Sequence, residues 1–97
     1  PEFKISINGN NIGSVRKQLT LFRPKYHINY SGWNVTGNIF GWDYDVVDSY
    51  NNKIMHISKE LLHFGDTYVL NFMNPENEIM GLLLVIAIDA ANCSKDN

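Results

Sequence analysis

The chain has 97 residues, enough for about one small domain, and its 44% apolar and 19% charged residues indicate a folded protein. Its single cysteine, Cys93, excludes an internal disulfide and fits a reducing compartment. The sequence shows no signal peptide and no apolar run near the roughly 18 residues of a membrane span. We therefore expect a cytoplasmic protein, at most peripheral to a membrane.

Charge is distributed unevenly along the chain. The net charge is −2, but residues 1–25 carry five basic residues against one acidic residue, a net charge of +4 that leaves −6 for the rest. A basic end favours anionic partners such as phospholipid headgroups. The alternative is that these bases lie on ordinary solvated strand faces. Because the chain as a whole is acidic, we expect no nucleic-acid binding. The candidate ligand-binding residues are Arg16, Lys17, Arg23 and Lys25.

Alternation of apolar and polar residues predicts an antiparallel β meander. The first strand, residues 3–7, ends at Asn8-Gly9, a pair that tolerates the positive φ angles of a tight hairpin turn. Seven strands are expected in all, at about residues 3–7, 12–21, 26–30, 33–40, 42–47, 53–61 and 67–72. Because the pattern begins inside a strand and without an initiator Met, we expect residues 1–97 to be a single domain or the C-terminal part of one.

Part of the sequence is repeated at an offset of 42 residues. The residues Ile12, Val15, Lys17, Leu19, Phe22, Tyr26, Ile28, Asn29 and Tyr30 correspond to Ile54, Ile57, Lys59, Leu61, Phe64, Tyr68, Leu70, Asn71 and Phe72. Repeated units rarely bury their apolar faces singly and usually pack against one another. Duplicated hairpins that close toward a barrel satisfy this need, because closure removes sheet edges.

The apolar period changes after residue 72. Asn74 suits a helix cap, Pro75 suits the first helical position, and Glu76 meets the positive end of the helix dipole. Residues 79–88 are almost wholly apolar, which predicts a helix at about 75–91 that is apolar on every side. Ten such residues span about 15 Å, half the thickness of a bilayer core. We therefore expect a central helix enclosed by the sheet or by a partner.

No catalytic constellation emerges from the sequence. It lacks a nucleophile elbow and a Gly-rich phosphate loop, and metal-ligand spacing is absent from its three histidines, His27, His56 and His63. Carboxylates at near-alternate positions suggest a calcium site at Asp43, Asp45 and Asp48. A strand with aromatic side chains inward and carboxylates outward explains that segment better. We expect no cofactor and no metal.

Two lysines occupy strand positions on the same face as apolar residues, and one aspartate directly follows the apolar run of the helix. Lys17 and Lys59 occupy equivalent repeat positions, where a bulge or a snorkelling stem would carry the amine outward. A paired basic site facing a ligand is the alternative. Asp89 is either half-buried with a partner or marks the point where the helix leaves the core.

A series of motifs occurs in one order along the chain: Phe22-Arg23-Pro24-Lys25, Gly32-Trp33, Gly37, Gly41-Trp42-Asp43-Tyr44-Asp45, Ser58-Lys59, Phe64-Gly65-Asp66-Thr67-Tyr68 and Val85-Ile86-Ala87-Ile88-Asp89-Ala90. Together they resemble the C-terminal portion of LURP-one-related proteins, over nearly the whole chain. That family is similar to the tubby C-terminal domain and the phospholipid scramblases. The resemblance implies an antiparallel barrel threaded by a central apolar helix, with further N-terminal strands. Tubby relatives bind phosphoinositides, but no stretch here matches their headgroup-binding residues.

These observations support one main hypothesis, a non-enzymatic cytoplasmic binding module that docks to anionic phospholipid headgroups. A scaffold for protein–protein interaction is the alternative, and an enzyme of unknown type is the third. Seven strands are few for enclosing a helix that is apolar on every side. We therefore expect a missing N-terminal half to close the barrel. The alternative is a homo-oligomer in which strand edges pair or each helix enters its neighbour's sheet.

Overall fold

Seven strands and one α-helix make up the computed structural model, which describes residues 2–62 and 65–94. One antiparallel sheet contains, in this order, β1 (Glu2–Ile7), β2 (Asn10–Gln18) and β3 (Lys25–Tyr30). A second contains β4 (Asn34–Asn38), β5 (Asp43–Val47), β6 (Lys53–Leu62) and β7 (Gly65–Phe72). The 3₁₀ turn Pro75–Asn77 then leads into α1 (Glu78–Cys93). The chain divides into two compact units: the first sheet with α1 from Ile79 onward, and residues Trp33–Glu78 with the second sheet.

The seven strands and the C-terminal helix are confirmed, but the barrel is not. No closed barrel is detected among the described residues, and the expected meander is divided between β3 and β4 into two sheets. Ser31 and Gly32 between them adopt φ angles of 54° and 69°, as in a tight hairpin turn, yet the strands they join do not pair. The alternation of residues identifies a strand from local sequence, whereas strand pairing depends on contacts that the pattern does not encode.

The Asn8-Gly9 hairpin forms as the sequence predicts. Both residues have positive φ angles, 53° and 79°, which match the twist of the strands that they connect. The pairing of β1 with β2 shifts register between Ile5 and Ser6. In contrast, β2 pairs with β3 without a shift from Gly13 to Gln18.

The sequence repeat corresponds to a repeated hairpin. β2–β3 and β6–β7 have the same register at equivalent positions, so that Val15 opposite Ile28 and Lys17 opposite Tyr26 are matched by Ile57 opposite Leu70 and Lys59 opposite Tyr68. Each compact unit therefore contains one copy of the repeat.

The helix begins as predicted. The Asn74 side chain accepts a hydrogen bond of 3.1 Å from the backbone N–H of Glu76, and Pro75 occupies the first position of the 3₁₀ turn. Six residues of α1 are buried: Gly81, Leu84, Val85, Ala87, Ile88 and Ala91. Three large apolar side chains are exposed instead, Ile79, Leu82 and Ile86.

Within the described residues the sheet therefore does not enclose the helix on every side, whereas enclosure by a partner, the other half of the expectation, stays a prediction. The exposed residues Ile79, Leu82 and Ile86 are spaced three and four apart, so they form one stripe along the helix. A run of apolar residues indicates a need for burial without specifying what supplies it, and one sheet face can cover only one side of a helix. We refer to these three residues as the α1 stripe.

Two tyrosines of β3 join the first sheet to α1. The Tyr30 hydroxyl donates a hydrogen bond of 2.7 Å to the carbonyl oxygen of Met80, in the first turn of α1. The Tyr26 hydroxyl donates one of 2.5 Å to the side-chain oxygen of Asn92, in the last turn. β3 therefore runs along the helix in the opposite direction. Tyr30 is fully buried, and this burial raises the pKa of its hydroxyl, which stays a neutral donor at physiological pH.

Candidate functional site

The candidate basic residues Arg16 and Lys25 lie on the outer face of the first sheet, near the end where β2 turns into β3. Arg16 pairs with His27 and Gln18 pairs with Lys25, so the two cations occupy diagonal positions. Diagonal side chains of an antiparallel pair start about 7–8 Å apart, within reach of one anionic group. Nε2 of His27 lies 2.9 Å from Oε1 of Gln18 and links the two strands between the cations.

A shallow depression of about 490 Å³ lies beside Arg16 on this sheet. The residues lining it are Glu2, Ser14, Arg16, Tyr26, His27, Ile28 and Asn29. Glu2 is directly opposite Arg16 in the pairing of β1 with β2. An anion here would therefore meet a carboxylate as well as the guanidinium, so the depression by itself is a poor anion site.

The third exposed base, Arg23, belongs to the loop that connects β2 with β3. The sequence predicts that the second strand continues to about Leu21, but β2 ends at Gln18. The Thr20 hydroxyl accepts a hydrogen bond of 3.3 Å from the backbone N–H of Arg23 and donates one to the carbonyl oxygen of the same residue. This turn, held by a side-chain hydrogen bond, takes the place of further pairing between β2 and β3. It holds the two residues between its ends, Leu21 and Phe22, at the tip of the loop.

The tip of this loop is exposed and apolar. Leu21 is 90% exposed and Phe22 is 92% exposed, and Leu19 at the base is also exposed. We call residues 19–25 the β2–β3 loop segment; it contains two basic residues and no acidic one. The sequence pattern does not identify Leu21 and Phe22 as an exposed tip, because period-two alternation places Leu19 and Leu21 in a strand. The signal that identifies a loop is the presence of Thr20 and, four residues later, Pro24, because both residue types favour turns.

Lys17 lies apart from the other three candidate bases. It is 7% exposed, and its amine lies 3.5 Å from the carbonyl oxygen of Asn92 at the C-terminal end of α1. The expected bulge or outward-turned stem is wrong, because the β2–β3 register is unbroken at Lys17 and the side chain points to the helix. Lys59, at the equivalent position of the repeat, is exposed.

The side chain of Asn92 is only partly satisfied. Its oxygen accepts from Tyr26, while its Nδ2 atom is buried with no hydrogen-bond partner among the described residues. The neighbouring Asp89 is half-buried, and its Oδ1 lies 3.9 Å from the thiol sulfur of Cys93. Of these residues, Asn92 belongs to the contact between the first sheet and α1 through its bonds with Tyr26 and Lys17.

The acidic residues of the second sheet do not form the calcium site that alternate carboxylates suggest. Asp48 caps its own turn, accepting from the backbone N–H groups of Tyr50 at 2.8 Å and Asn52 at 2.9 Å. These bonds, the one from Asn52 foremost, lower the pKa of Asp48. Asp45 instead pairs with a histidine. Across the described ranges, no group of three metal-binding side chains is found.

One histidine of β6 lies between two carboxylates of β5. Nδ1 of His56 is 2.7 Å from Oδ1 of Asp45, and its Nε2 is 3.3 Å from Oδ1 of Asp43. The amine of Lys53 lies 3.6 Å from the same Asp45 oxygen. The hydrogen bond from His56 is the main cause that lowers the pKa of Asp45, with Lys53 adding to it and partial burial opposing it. The cluster is a surface cross-strand network.

Trp42 lies in the turn between β4 and β5, and its side chain is buried. Trp42 is expected in a strand but has a φ angle of 58°, in the left-handed region that bulky residues rarely adopt. Its ring stacks on that of Tyr68 with centroids 4.3 Å apart and planes 21° apart. The aromatic side chains of Trp42 and Tyr44 are buried while Asp43 is exposed, which confirms the inward and outward alternation expected for this segment.

Two antiparallel sheets followed by a C-terminal helix define the class of this molecule, a mainly β domain with an apolar terminal helix. The chain belongs to the LURP-one-related family, whose model matches residues 1–89. This confirms the resemblance carried by the glycine, tryptophan and aspartate motifs.

The chain is also similar to a bacterial protein. It is 29% identical over 89 residues to a protein of Bacillus subtilis (strain 168) named "Uncharacterized protein YxjI". The match covers 92% of this chain and 54% of the relative, so the chain spans about half the length of that protein. No solved structure matches the chain. Within the described residues, no helix is both long enough and apolar enough to cross a bilayer.

Proposed function

We propose that this chain is a non-enzymatic, cytoplasmic binding module that docks to anionic phospholipid headgroups on a membrane surface. The observation that carries the proposal is the placement of Arg16, Arg23 and Lys25 on exposed positions at one end of the first sheet. Lys17 is not included in this surface, because its amine is directed to α1.

The expected strength of docking follows from the number of bases. Each Lys or Arg near an anionic surface contributes about 1 kcal/mol, so three contribute about 3 kcal/mol, or roughly a hundredfold in partitioning. Such binding is reversible and weakens at high salt, since exposed charges are screened within about 8–10 Å. The phosphoinositide binding of tubby relatives agrees with this chemistry, although their headgroup-binding residues have no counterpart in this sequence.

A vesicle-flotation experiment tests the proposal. The chain is expected to float with vesicles of phosphatidylcholine and phosphatidylserine at low salt, and to float much less with phosphatidylcholine alone. Lys25→Glu reverses one charge on the proposed surface and is expected to weaken binding roughly tenfold to thirtyfold. Lys59→Glu makes the same change at an exposed lysine of β6, outside the proposed surface, and is expected to have little effect. Equal binding to both vesicle types at low salt would contradict the proposal.

A protein–protein scaffold is the second candidate function, and the exposed α1 stripe is the observation that favours it. Affinity capture with the wild-type chain and with Ile86→Lys distinguishes the two functions. A partner that is captured by the wild type and lost with Ile86→Lys, together with no binding to vesicles, would favour the scaffold.

A further inference from the structure

We propose that the β2–β3 loop segment inserts its apolar tip into the membrane, with Leu21 and Phe22 entering the acyl boundary. Arg23, Lys25 and Arg16 then remain at the level of the lipid phosphates. This inference rests on the proposed function and gives the docking surface an orientation.

The exposure of the tip is the first observation. Leu21 and Phe22 are the two most exposed large apolar residues described, at 90% and 92%. Full transfer of such a side chain from water to an apolar phase favours partitioning by roughly tenfold to a hundredfold. Two adjacent side chains at the end of a turn can enter the boundary layer without any rearrangement of the sheet.

The shape of the loop is the second observation. The two hydrogen bonds between the Thr20 hydroxyl and the backbone of Arg23 fix a turn whose central residues are Leu21 and Phe22. Pro24, with its fixed φ angle, follows directly. The contact of His27 with Gln18 links the two strands beneath the loop. A tip held in this way loses little conformational entropy on insertion.

The third observation is the order in which apolar and basic residues follow one another from the tip of the β2–β3 loop segment toward the sheet. The apolar tip is followed by Arg23, then by Lys25 at the first strand pair, then by Arg16 one diagonal position further. A membrane surface has the same order, acyl chains below and phosphates above, and long basic side chains extend readily to the phosphate level. An apolar groove on a protein would match the tip but has no need of the flanking bases.

Comparison of the two repeats supports a specific role for this loop. In sequence, Phe22 corresponds to Phe64, so the aromatic residue occurs in both copies. Arg23 and Lys25 correspond to Gly65 and Thr67, so the bases occur only in the first copy. Of the two copies, the first therefore has positive charge next to this phenylalanine in the sequence, and the second has glycine and threonine there.

Substitutions at the tip separate insertion from simple charge attraction. Phe22→Ser should weaken binding to vesicles of phosphatidylcholine and phosphatidylserine roughly tenfold, at low salt and at about 0.5 M salt alike, because apolar transfer is not screened. Phe40→Ser removes another exposed phenylalanine, in the β4–β5 turn, and should leave binding unchanged. Both side chains are exposed, so each variant is expected to fold, and circular dichroism checks this.

A direct measurement of depth completes the test. Phe22→Trp should gain a blue-shifted emission component on vesicle binding, quenched by lipids brominated on the acyl chains; the wild type supplies the background from Trp33 and Trp42. If wild type and Phe22→Ser bind anionic vesicles equally, insertion is overturned while headgroup docking stands. If neither the wild type nor any variant binds anionic vesicles, docking and insertion are both overturned.

Discussion

The buried amine of Lys17 lies 3.5 Å from the backbone carbonyl oxygen of Asn92, in the last turn of α1. The last turn of this helix has no basic residue of its own. The carbonyl groups there carry the negative end of the helix dipole and lack intrahelical partners. A strand therefore supplies the cation that the helix sequence omits.

Replacement of Lys17 tests this interaction. Lys17→Met keeps most of the buried stem but removes the charge, and should lower the free energy of unfolding by about 1–2 kcal/mol. Lys4→Met, at an exposed position of β1, should change it by less than about 0.5 kcal/mol. Urea unfolding measures both. An increase in stability for Lys17→Met would show that the desolvation cost of the ammonium exceeds its interaction with the helix end. Vesicle binding of the same variant should be unchanged.

The buried face of α1 makes a second prediction. Leu84 is fully buried, so Leu84→Ala should lower the free energy of unfolding by about 2–5 kcal/mol through lost burial and a residual cavity. Leu82→Ala is the matched control on the same helix, because Leu82 is part of the exposed α1 stripe and should cost less than about 1 kcal/mol. A loss below about 0.5 kcal/mol for Leu84→Ala would mean that the helix is peripheral to the core.

The pairing of Asp45 with His56 predicts a specific dependence of stability on pH. Because the folded state lowers the pKa of Asp45 below its unfolded value of about 3.8, the carboxylate stabilises the fold above that value. The contribution is lost as the pH falls through the lowered pKa.

Asp45→Asn removes the titration while keeping the shape. The difference in urea midpoint between wild type and Asp45→Asn should be present above the unfolded pKa of about 3.8 and vanish in acid below the folded pKa. The pair is partly exposed, so the neutral-pH difference should remain within about 1 kcal/mol. Glu60→Gln changes the net charge equally on the neighbouring strand, and a difference with the same pH profile there would contradict a specific role for the Asp45–His56 contact.

The sequence predicts local features well, because the signals for them are local. Seven segments of alternation become seven strands, Asn8-Gly9 becomes a hairpin turn, and Asn74 caps the turn before α1. The LURP-one-related motifs likewise identify the family. Each of these depends on a few neighbouring residues, whose backbone preferences act in the same direction as the fold.

The features that the sequence does not predict depend on contacts that the alternating pattern does not encode, whether distant or local. Lys17 has the parity of a core residue, but its contact with the carbonyl oxygen of Asn92, 75 residues away, cannot be predicted from that parity. Leu21 continues an alternating pattern, yet the hydroxyl of Thr20 diverts the chain into a turn. The exposed surface of the proposed site arises because a local side-chain hydrogen bond competes with strand pairing.

The exposed α1 stripe leads to the final prediction. Ile79, Leu82 and Ile86 lie three and four residues apart, the spacing by which two helices pack against each other. We expect the chain to self-associate at micromolar concentration, with the stripe of one copy against that of a second. A stable contact of this kind buries more than about 1,000 Å² in total, which requires neighbouring side chains to take part as well.

Sedimentation velocity with a matched pair of variants tests this contact. Ile86→Lys places a charge at the C-terminal end of the α1 stripe and should shift the chain to a monomer, because an unpaired charge is costly to bury. Met73→Lys introduces the same charge at an exposed apolar residue before the helix and should leave the association unchanged. A wild-type chain that sediments as a monomer at micromolar concentration would contradict the prediction, because the α1 stripe would then be exposed to solvent without causing association. If both variants dissociate equally, added charge weakens association through a surface other than α1.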